Sequence, residues 1–380
     1  MPKLGLVQRR EVLRAAIAAP WIALGRVRLF GADRAYSTRA VDLVKRSTVI
    51  DMLSPFSLSA VKWRGWVTKP ETFTAADLRE FRDSGINAFH IAVGLGGPEA
   101  YLNTLKYVSG WNSFLAFHDD SLKRIQTTSD IMRAKAAGKV GVIVGIQNSE
   151  HFRTPADVTE FYQLGQRVSQ LTYNARNLIG NGSTERHDEG ISDFGATVIA
   201  RMNEVGMAVD ASHCGDRTTL DAFELSKKPV LLTHSNCRAI SGHVRSKTDE
   251  AIRKCAAQGG VMGITGVRMF VKGDEPTTVE HYLDHFDHVR KLVGPEFIGV
   301  GSDIDLHGYD AMPEPERKAL HANYKSVYKF RDKDDIEGID HPRRMYDVAE
   351  GLIRRGYSDR DIEGILGGNF LRVLKIVWNG

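Results

Sequence analysis

Metal-capable side chains follow three apolar runs of this sequence, each at the point where the run ends. The run AVDASHC ends in His213, PVLLTHS ends in His234, and IGVGSDID contains Asp303 and Asp305. Imidazoles and carboxylates are ligands that zinc prefers, and a catalytic zinc site keeps one position open for water, whose pKa the metal lowers. If these runs are neighbouring strands that end on one rim, the pattern predicts a metal-assisted hydrolytic site.

Other reactive side chains have simpler structural interpretations. His281, His285 and His288 lie at i, i+4 and i+7 on one helical face, but the apolar residues between them supply a buried stripe and predict an outer helix. The segment 94–97 (GLGG) lacks the Lys-Ser/Thr of a phosphate loop and is interpreted as a turn. Cys214 is interpreted as a small buried residue rather than a nucleophile.

Eight short apolar runs alternate with helix-length amphipathic segments from Ser47 onward. The predicted strands are Val49–Leu53, Ala88–Val93, Val140–Ile146, Val168–Thr172, Ala208–Ser212, Val230–Thr233, Val261–Ile264 and Ile298–Gly301. The clearest predicted helices are Ala75–Ser84, Asp188–Val205 and Asp249–Gln258. Runs that are apolar throughout are typical of parallel strands covered on both faces, and eight strand–helix units are what a closed barrel requires. The sequence therefore predicts an α/β fold, a (β/α)8 TIM-like barrel, with a doubly wound open sheet as its structural rival.

The first 35 residues differ from the rest in charge. Seven basic groups and two acidic groups give residues 1–34 a net charge of +5, so the formal +4 of the whole chain becomes −1 without them. Basic residues that include the pair Arg9 and Arg10 precede the short apolar run Ala15–Leu24, which resembles a twin-arginine export signal. An amphipathic first helix is the alternative. We predict a signal segment at 1–35, a single barrel domain with C-terminal helices at 36–380, and a periplasmic or otherwise exported protein.

The composition of the chain limits the classes of molecule that it is expected to bind. Beyond the first segment no basic stripe stands out, which argues against a nucleic acid partner. No run of 18 apolar residues occurs, so no transmembrane span is expected. None of the three cysteines forms a Cys-x-x-Cys pair, so neither a thiolate zinc finger nor a disulfide framework is indicated. The expected partner is a small molecule, and a homodimer is left open.

The same segments are where the chain resembles the membrane (renal-type) dipeptidases, zinc peptidases with an amidohydrolase-like barrel. The similarity runs from about Val49 to Trp378 and is found in VDASHCGDRTTLDA, KPVLLTHSNCRAI, HVRSKTDEAIR, QGGVMGI, FIGVGSDID and GILGGNFLRVLKIVW. The resemblance implies hydrolysis of dipeptides, often with a D-residue at the C-terminal position. It also implies two zinc ions bridged by a glutamate.

Carried over residue by residue, the resemblance implies roles for four side chains. His213 and His234 fall on the two histidines that hold one zinc ion. Asp303 falls on the aspartate near the metals that handles the proton of the attacking water. Arg245 falls on the arginine that clamps the α-carboxylate of the substrate, a role that suits a planar guanidinium because it forms two parallel hydrogen bonds with a carboxylate.

The chain departs from the family pattern elsewhere, in the manner of a divergent bacterial branch. The first strand of the family usually ends in Asp-Gly-His-x-Asp, but VIDMLSP places Leu53 and Pro55 at the ligand positions. Gln147 stands where the bridging glutamate is expected, and Glu150 is a substitute three residues later. Tyr173 stands at the substrate-binding histidine of the family.

These departures favour one zinc ion rather than two. The predicted metal ligands are His213, His234 and Asp303, with Gln147 and Glu150 as secondary candidates. Tyr173 and Asn174 are expected to contact the substrate together with Arg245.

Three functions follow from these sequence features. The first is a zinc-dependent hydrolase of dipeptides or related small amides that uses metal-activated water. The second is an exported homologue with altered or lost peptidase activity, recruited to another small-molecule step such as siderophore maturation. The third is non-catalytic ligand binding.

Overall fold

The centre of the molecule is a ring of eight parallel strands. The computed structural model describes residues 26–28 and 35–378. Its strands, in chain order, are β1 (Arg26–Arg28), β2 (Ala35–Ser37), β3 (Ile50–Asp51), β4 (Ala88–Ile91), β5 (Leu122–Arg124), β6 (Val140–Ile146), β7 (Gln166–Gln170), β8 (Ala208–Asp210), β9 (Leu232–Ser235), β10 (Met262–Ile264) and β11 (Ile298–Val300). The ring order is β8-β7-β6-β4-β3-β11-β10-β9, and β5 pairs with β6 outside this path.

The two ends of this strand order meet. The amide of Ala211 donates to the carbonyl of Leu231 at 3.0 Å, and the amide of Leu231 donates to the carbonyl of Val209 at 2.9 Å. A parallel bridge between Asp210 and Leu231 therefore joins β8 to the start of β9. The predicted barrel is confirmed, and the open-sheet alternative is wrong.

Helices surround the ring and follow most of its strands. They are α1 (Thr38–Arg46), α2 (Ala60–Thr68), α3 (Ala75–Asp83), α4 (Ala100–Phe117), α5 (Thr128–Ala136), α6 (Pro155–Leu164), α7 (Asp193–Val205), α8 (Asp216–Leu225), α9 (Arg238–Ser241), α10 (Asp249–Ala257), α11 (Arg268–Val271), α12 (Val279–Val293), α13 (Glu314–Ala322), α14 (Arg344–Arg354), α15 (Asp359–Glu363) and α16 (Asn369–Val377). Helix α7 begins five residues later than predicted because the hydroxyl of Ser192 caps it, accepting from the amide of Gly195 at 3.0 Å.

The eight predicted strands are all present, and the largest differences are local. The short strand β5 is not predicted because it has only three residues and one of them, Lys123, is exposed. Strand β7 begins at Gln166, two residues before the predicted start, because Gln166 and Arg167 are buried polar residues rather than apolar ones. Their side chains are satisfied by His151 and by backbone carbonyls.

The C-terminal helices pack against the barrel, as predicted. Phe370 and Leu374 of α16, followed by Trp378, belong to an apolar cluster with residues near the amino ends of the strands, such as Ala88 and Ala208. The indole nitrogen of Trp378 donates to the carbonyl of Arg167 at 3.2 Å. This cluster, which we call the barrel floor, closes the end of the barrel opposite the rim that holds His213 and His234.

The predicted signal segment, residues 1–35, lies outside the described residues apart from Ala35 and β1, which pairs antiparallel with β2. Among the described helices none combines the length and apolar character that a membrane crossing requires.

Candidate active site

His213 and His234 meet at the carboxyl-end rim of the barrel. His234 lies in β9, and His213 lies three residues beyond the end of β8. The two Nε2 atoms are 2.9 Å apart, and both side chains are buried. The rim position is the one that active sites of this fold occupy. The structure therefore brings together the two histidines that the sequence places at successive strand ends.

The outer nitrogen of each ring is fixed by a hydrogen bond. Nδ1 of His213 donates to Oδ1 of Asn174 at 2.8 Å. Nδ1 of His234 is 2.8 Å from Oγ1 of Thr233, whose only proton goes to Oδ2 of Asp210 at 2.6 Å, so the imidazole must be the donor. In both rings the Nε2 atom consequently carries a lone pair, and the two lone pairs face each other. This arrangement stabilises a cation between the rings.

The surroundings of the two imidazoles disfavour a proton as the cation between them. Burial lowers the pKa of His213 and of His234 well below its ordinary value, and the charge of Arg245 lowers both further, as does that of Lys247. Both imidazoles are therefore neutral at pH 7. Neutral imidazole is the form that binds a metal ion.

Asp303 lines the same cavity as His213. It lies three residues beyond the end of β11 and directly follows Ser302. Its backbone is in the left-handed region, with φ of 61°, and its amide donates to the carbonyl of Leu53 at 2.7 Å. Burial raises the pKa of Asp303 to about 7, against the opposing effect of Arg245. A carboxyl group with this pKa can accept and return a proton at neutral pH.

The residues at the end of β3, the first barrel strand, make structural contacts. Leu53 is fully buried and Pro55 lines the cavity, and neither side chain offers a ligand atom. Asp51 accepts from the amide and the hydroxyl of Ser302 at 2.8 and 2.7 Å and pairs with Arg344 at 3.1 Å. This carboxylate thus connects β3 to the segment after β11.

Gln147 and Glu150 lie in different surroundings. Gln147 lines the cavity, and its Nε2 donates to the carbonyl of Ala92 at 3.3 Å while its Oε1 is buried without a partner in the described residues. The carboxylate of Glu150 instead accepts from the amide of Gly97 and from the side chain of Asn148, both at 3.1 Å. Glu150 therefore fastens the predicted turn at 94–97, and its role as a ligand stays a prediction.

Arg245 lies beneath the histidine pair and is 1% exposed. Its guanidinium donates to the carbonyl of Ser212, to the carbonyl of His234 at 2.9 Å and to the hydroxyl of Ser235 at 3.2 Å. Only Nε lacks a partner among the described residues. In this geometry Arg245 connects the two strand ends that carry the histidines, and the carboxylate clamp stays a prediction.

Lys247, which the sequence analysis did not single out, is a second buried cation at the rim. Its Nζ donates to the carbonyls of Ala211 and Cys214 at 2.7 and 2.8 Å and to the hydroxyl of Thr219 at 2.9 Å. These carbonyls flank His213 in the chain. Burial lowers the pKa of Lys247 to about 8. Lys247 therefore holds the turn that positions His213.

Tyr173 and Asn174 both contact the histidine pair. The ring of Tyr173 stacks on that of His213, with centroids 4.3 Å apart and an interplanar angle of 23°. Its hydroxyl lies 2.5 Å from that of Tyr324, and Oδ1 of Asn174 accepts from the hydroxyl of Tyr328 at 3.1 Å. A tyrosine cluster thus covers one side of the site.

These side chains line one cavity of about 920 Å³. Such a volume is near the upper end of the roughly 300–1,000 Å³ that small-molecule sites span. The inner end contains His213, Asp303, Gln147, Tyr173 and Asn174. Helices α2 and α4 and the segment 320–330 form the outer walls. The cavity therefore connects His213, one member of the histidine pair, to the surface.

His213 and His234 form a donor pair for a metal ion. Within residues 35–378, no set of three or more histidine, cysteine, aspartate or glutamate side chains is arranged around one point. The two facing lone pairs of His213 and His234 can bind one ion, and water or substrate would supply its other ligands. Leu53 and Pro55 stand where the resemblance places ligands of a second ion and offer no ligand atom, so binding of a single ion stays a prediction.

The chain matches a known protein family over most of its length. A family model of the membrane dipeptidases, peptidase family M19, matches residues 37–316 and 332–379. The chain belongs to the membrane dipeptidase family. It is 28% identical over 283 residues to dipeptidase verJ of Clonostachys rogersoniana, which covers 73% of this chain and 66% of that protein. It is 27% identical over 281 residues to an uncharacterized dipeptidase of Schizosaccharomyces pombe, covering 72% and 62% respectively. The chain thus spans less than two thirds of the length of these curated relatives.

Solved structures share the barrel. An amidohydrolase from Pseudomonas aeruginosa is 29% identical with a TM-score of 0.78, and the match covers 90% of this chain and 99% of that one. A metallopeptidase from Rhodobacter sphaeroides, solved with a phosphinate mimic of the dipeptide L-Ala-D-Ala, is 18% identical with a TM-score of 0.71, covering 87% and 99%. At that identity the second match shows the fold alone.

Besides Lys247, three residues of this membrane dipeptidase family member lie near the site without having been predicted. Tyr324 and Tyr328 come from the segment after β11, where no apolar periodicity signals a contact with the rim. His90 of β4 is buried, its Nδ1 donates to the carbonyl of Met52 at 2.6 Å, and its Nε2 lacks a partner in the described residues. A histidine inside the apolar run AFHIAV was the available signal for His90.

Proposed function

We propose that the protein hydrolyses dipeptides, or closely related small amides, in the cavity above His213 and His234. One observation carries the proposal: the buried Nε2 atoms of His213 and His234 meet at 2.9 Å, and His213 lines a cavity that also holds Asp303, whose pKa burial raises to about 7. Membership of the membrane dipeptidase family supports the same class of substrate.

His213 and His234 would hold one zinc ion, which when bound lowers the pKa of a water molecule and polarises an amide carbonyl. Asp303 accepts the proton of the attacking water and returns it to the departing amine, because its pKa near 7 makes both protonation states accessible. Asn174 and Thr233 hold the imidazoles so that the two Nε2 atoms face each other.

The substrate is oriented by the polar groups around this end. The tyrosine cluster of Tyr173, Tyr324 and Tyr328 limits the space beside His213 and offers hydroxyl groups. Gln147 presents an amide oxygen without a partner in the described residues. We extend the proposal to substrates with a D-residue at the C-terminal position, which the family resemblance implies.

Metal analysis combined with a substrate panel tests the proposal. We expect protein purified without added metal to contain about one zinc per chain and to cleave members of a panel of L,L- and L,D-dipeptides. A chelator should abolish cleavage, and added zinc should restore it. His213→Ala should abolish both metal retention and cleavage, whereas the matched control His187→Ala, at an exposed position outside the cavity, should change neither.

A second candidate function is favoured by Leu53 and Pro55. With two ligand positions of the family replaced, the barrel could serve another small-molecule transformation, such as siderophore maturation, or ligand binding alone. Metal-free protein without cleavage of any dipeptide would support this alternative and contradict the first proposal. Altered metabolite profiles in a deletion strain would then separate a transformation from simple binding.

We also propose that the protein is exported through its first 35 residues. The twin-arginine pattern of Arg9 and Arg10 supports this route. Fractionation of cells that produce the full chain, compared with Arg9→Lys/Arg10→Lys, should show loss of the exported form in the variant. An unchanged distribution would contradict export by this route.

A further inference from the structure

The outer part of the cavity lies between two helices that present a continuous aromatic and aliphatic surface. Helix α2 lines it with Trp63 and Val67, and helix α4 lines it with Tyr107 and Trp111. The helices are in direct contact, since a Cβ added at Gly110 of α4 would lie 2.6 Å from a methyl carbon of Val67. This region, which we call the outer arm, belongs to the same cavity as the buried His213.

Three aromatic rings of the outer arm pack as a unit. Trp63 stacks on Tyr107 with centroids 5.4 Å apart and an interplanar angle of 5°. Trp63 also contacts Trp111 edge-on, with centroids 5.8 Å apart and an angle of 71°. Trp111 is 1% exposed, so one end of this panel is rigid and buried. Such a panel favours a flat aromatic group as its occupant.

Two cations stand at the solvent edge of the same arm. Arg64 of α2 and Lys106 of α4 line the cavity and are exposed. In the part of the chain that the structure describes, neither forms an ion pair or a side-chain hydrogen bond. The other lysine at the cavity, Lys325, is instead paired with Glu185 at 3.1 Å.

The acidic groups of the cavity do not neutralise these cations. Besides Asp303, the lining carboxylate is Asp334, which binds His321 at 2.7 Å and lies 3.8 Å from Arg317. Helices α2 and α4 contribute no carboxylate to the lining. The solvent edge of the arm is therefore positive, while its walls are apolar.

We propose that the outer arm is a specificity subsite for an aromatic side chain that ends in an anionic group. The proposal rests on the proposed hydrolysis for its catalytic end, and it names the substrate class as small amides in which one half carries such a side chain. The aromatic part lies against Trp63 and Tyr107, and the anion reaches Arg64 and Lys106. A dipeptide of two small residues would leave this arm unfilled.

A matched set of substrates tests the subsite. The probes are Ala-Gly, Phe-Gly, 4-carboxyphenylalanyl-glycine and its neutral isostere 4-carbamoylphenylalanyl-glycine, and the measurement is kcat/KM for each. We expect the carboxylated probe to be cleaved best, the two neutral aromatic probes to follow, and Ala-Gly to be cleaved worst. Added salt should reduce the advantage of the carboxylated probe over its carbamoyl isostere, because exposed charges are screened.

Charge reversal identifies the residues responsible. Because each exposed ion pair contributes a few-fold and reversal adds repulsion, Arg64→Glu/Lys106→Glu should reduce kcat/KM for the carboxylated probe about tenfold or more. The loss should be much smaller for the carbamoyl probe and for Ala-Gly, because neither carries a negative charge to these two residues. Lys69→Glu, an exposed reversal directly after α2 and outside the cavity, is the matched control. Equal losses for all probes, or no loss for the carboxylated one, would overturn the subsite.

A binding measurement separates this inference from the proposed hydrolysis. The reduced-amide analogues of the carboxylated and carbamoyl probes, which cannot be cleaved, are titrated into the full-length protein by calorimetry. Tighter binding of the carboxylated analogue that is lost in the double variant supports the subsite even if no peptide is hydrolysed. Cleavage of all four probes at equal rates, with equal binding of both analogues, would contradict the subsite and leave the hydrolysis standing.

Discussion

The floor and the rim of the barrel are held together by opposite kinds of contact. At the floor, Phe370 and Leu374 of α16 and the following Trp378 are buried against apolar strand residues. At the rim, Arg245 and Lys247 are buried among carbonyl and hydroxyl oxygens. Neither cation forms a salt bridge with a carboxylate of the described residues.

The difference shows where stability is gained and where it is lost. Apolar burial at the floor stabilises the fold without any requirement for exact partners. Burial of a cation costs free energy unless hydrogen bonds compensate it, so the rim is stable only while each oxygen keeps its donor. The same two cations hold the segments that carry His213 and His234, so their burial positions the candidate site.

The largest effect is expected from Asp303→Asn, which leaves the rim folded but removes its proton carrier. We expect kcat to fall about 10²- to 10⁴-fold, the usual contribution of a general acid–base group. In the unmutated protein kcat/KM should rise with pH and level off above about 7, because burial raises the pKa of Asp303 to about 7 and the carboxylate is the proton acceptor. In Asp303→Asn this rise of kcat/KM with pH, the acid limb of the pH–rate profile, should be absent.

Asp305→Asn provides the comparison for that variant. The carboxylate of Asp305 accepts from the amides of Leu58, His307 and Gly308 at 2.8 to 2.9 Å, so it stabilises loops rather than moving protons. The Asp305→Asn variant should have a lower melting temperature and should keep the pH dependence of kcat/KM. A loss of the limb in Asp305→Asn and its retention in Asp303→Asn would reverse the assignment.

The next largest effect is expected at the floor. Phe370→Ala should reduce the free energy of unfolding by about 3–5 kcal/mol, because Phe370 is fully buried and packs against Gly299 of β11. Chemical denaturation measures this loss. Zinc affinity and KM should stay unchanged, since the floor lies at the opposite end from His213. A parallel loss of zinc affinity would show that the two ends are not independent.

How much the sequence could predict also differs between the two ends. The apolar pattern of the strands and the position of histidines at strand ends predict the barrel and the meeting of His213 with His234, because parallel strands end on one rim. The burial of Lys247 could not be predicted. In HVRSKTDE it lies in a charged stretch typical of solvent-exposed chain, and the oxygens around it come from residues 211, 214 and 219.

Contacts made by long loops could not be predicted from the sequence either. Tyr324 and Tyr328 reach Tyr173 and Asn174 across about 150 positions of sequence, in a segment without strand or helix periodicity. The departure at Leu53 and Pro55 was visible, but its consequence depends on which side chains surround the histidines in space. Composition and pattern predict the scaffold, whereas the ligand set depends on packing that they do not encode.

A third variant compares the rim with the floor directly. Lys247→Met keeps an unbranched side chain of similar length but leaves two carbonyls and one hydroxyl without their donor. We expect a loss of about 2–4 kcal/mol in the free energy of unfolding, smaller than the largest loss at the floor. Unlike Phe370→Ala, it should also weaken zinc binding, because the turn that positions His213 loosens.

The pH dependence of stability tests the same lysine. Burial lowers the pKa of Lys247 to about 8 in the folded protein, below the 10.5 of an unperturbed lysine, so the unfolded chain binds the proton more tightly between these values. This group therefore makes the protein more stable as pH rises from 8 to 10.5. The rise should be smaller in Lys247→Met, and an identical pH dependence in both proteins would contradict the role assigned to the buried amine.

The smallest effect is expected from Thr233→Val, which removes one hydroxyl at the rim without changing its shape. Asp210 keeps the amide and hydroxyl of Ser212 as donors, so the fold should be retained. Nδ1 of His234 loses its acceptor, and the ring is then free to place its proton on Nε2, where it blocks metal binding. We expect zinc affinity to fall about 10- to 100-fold, measured by competition with a chelating dye. Thr265→Val, a buried hydroxyl that contacts Ser302 rather than an imidazole, should leave zinc affinity unchanged, and an equal fall in both variants would show that rim packing, not the orientation of His234, sets metal affinity.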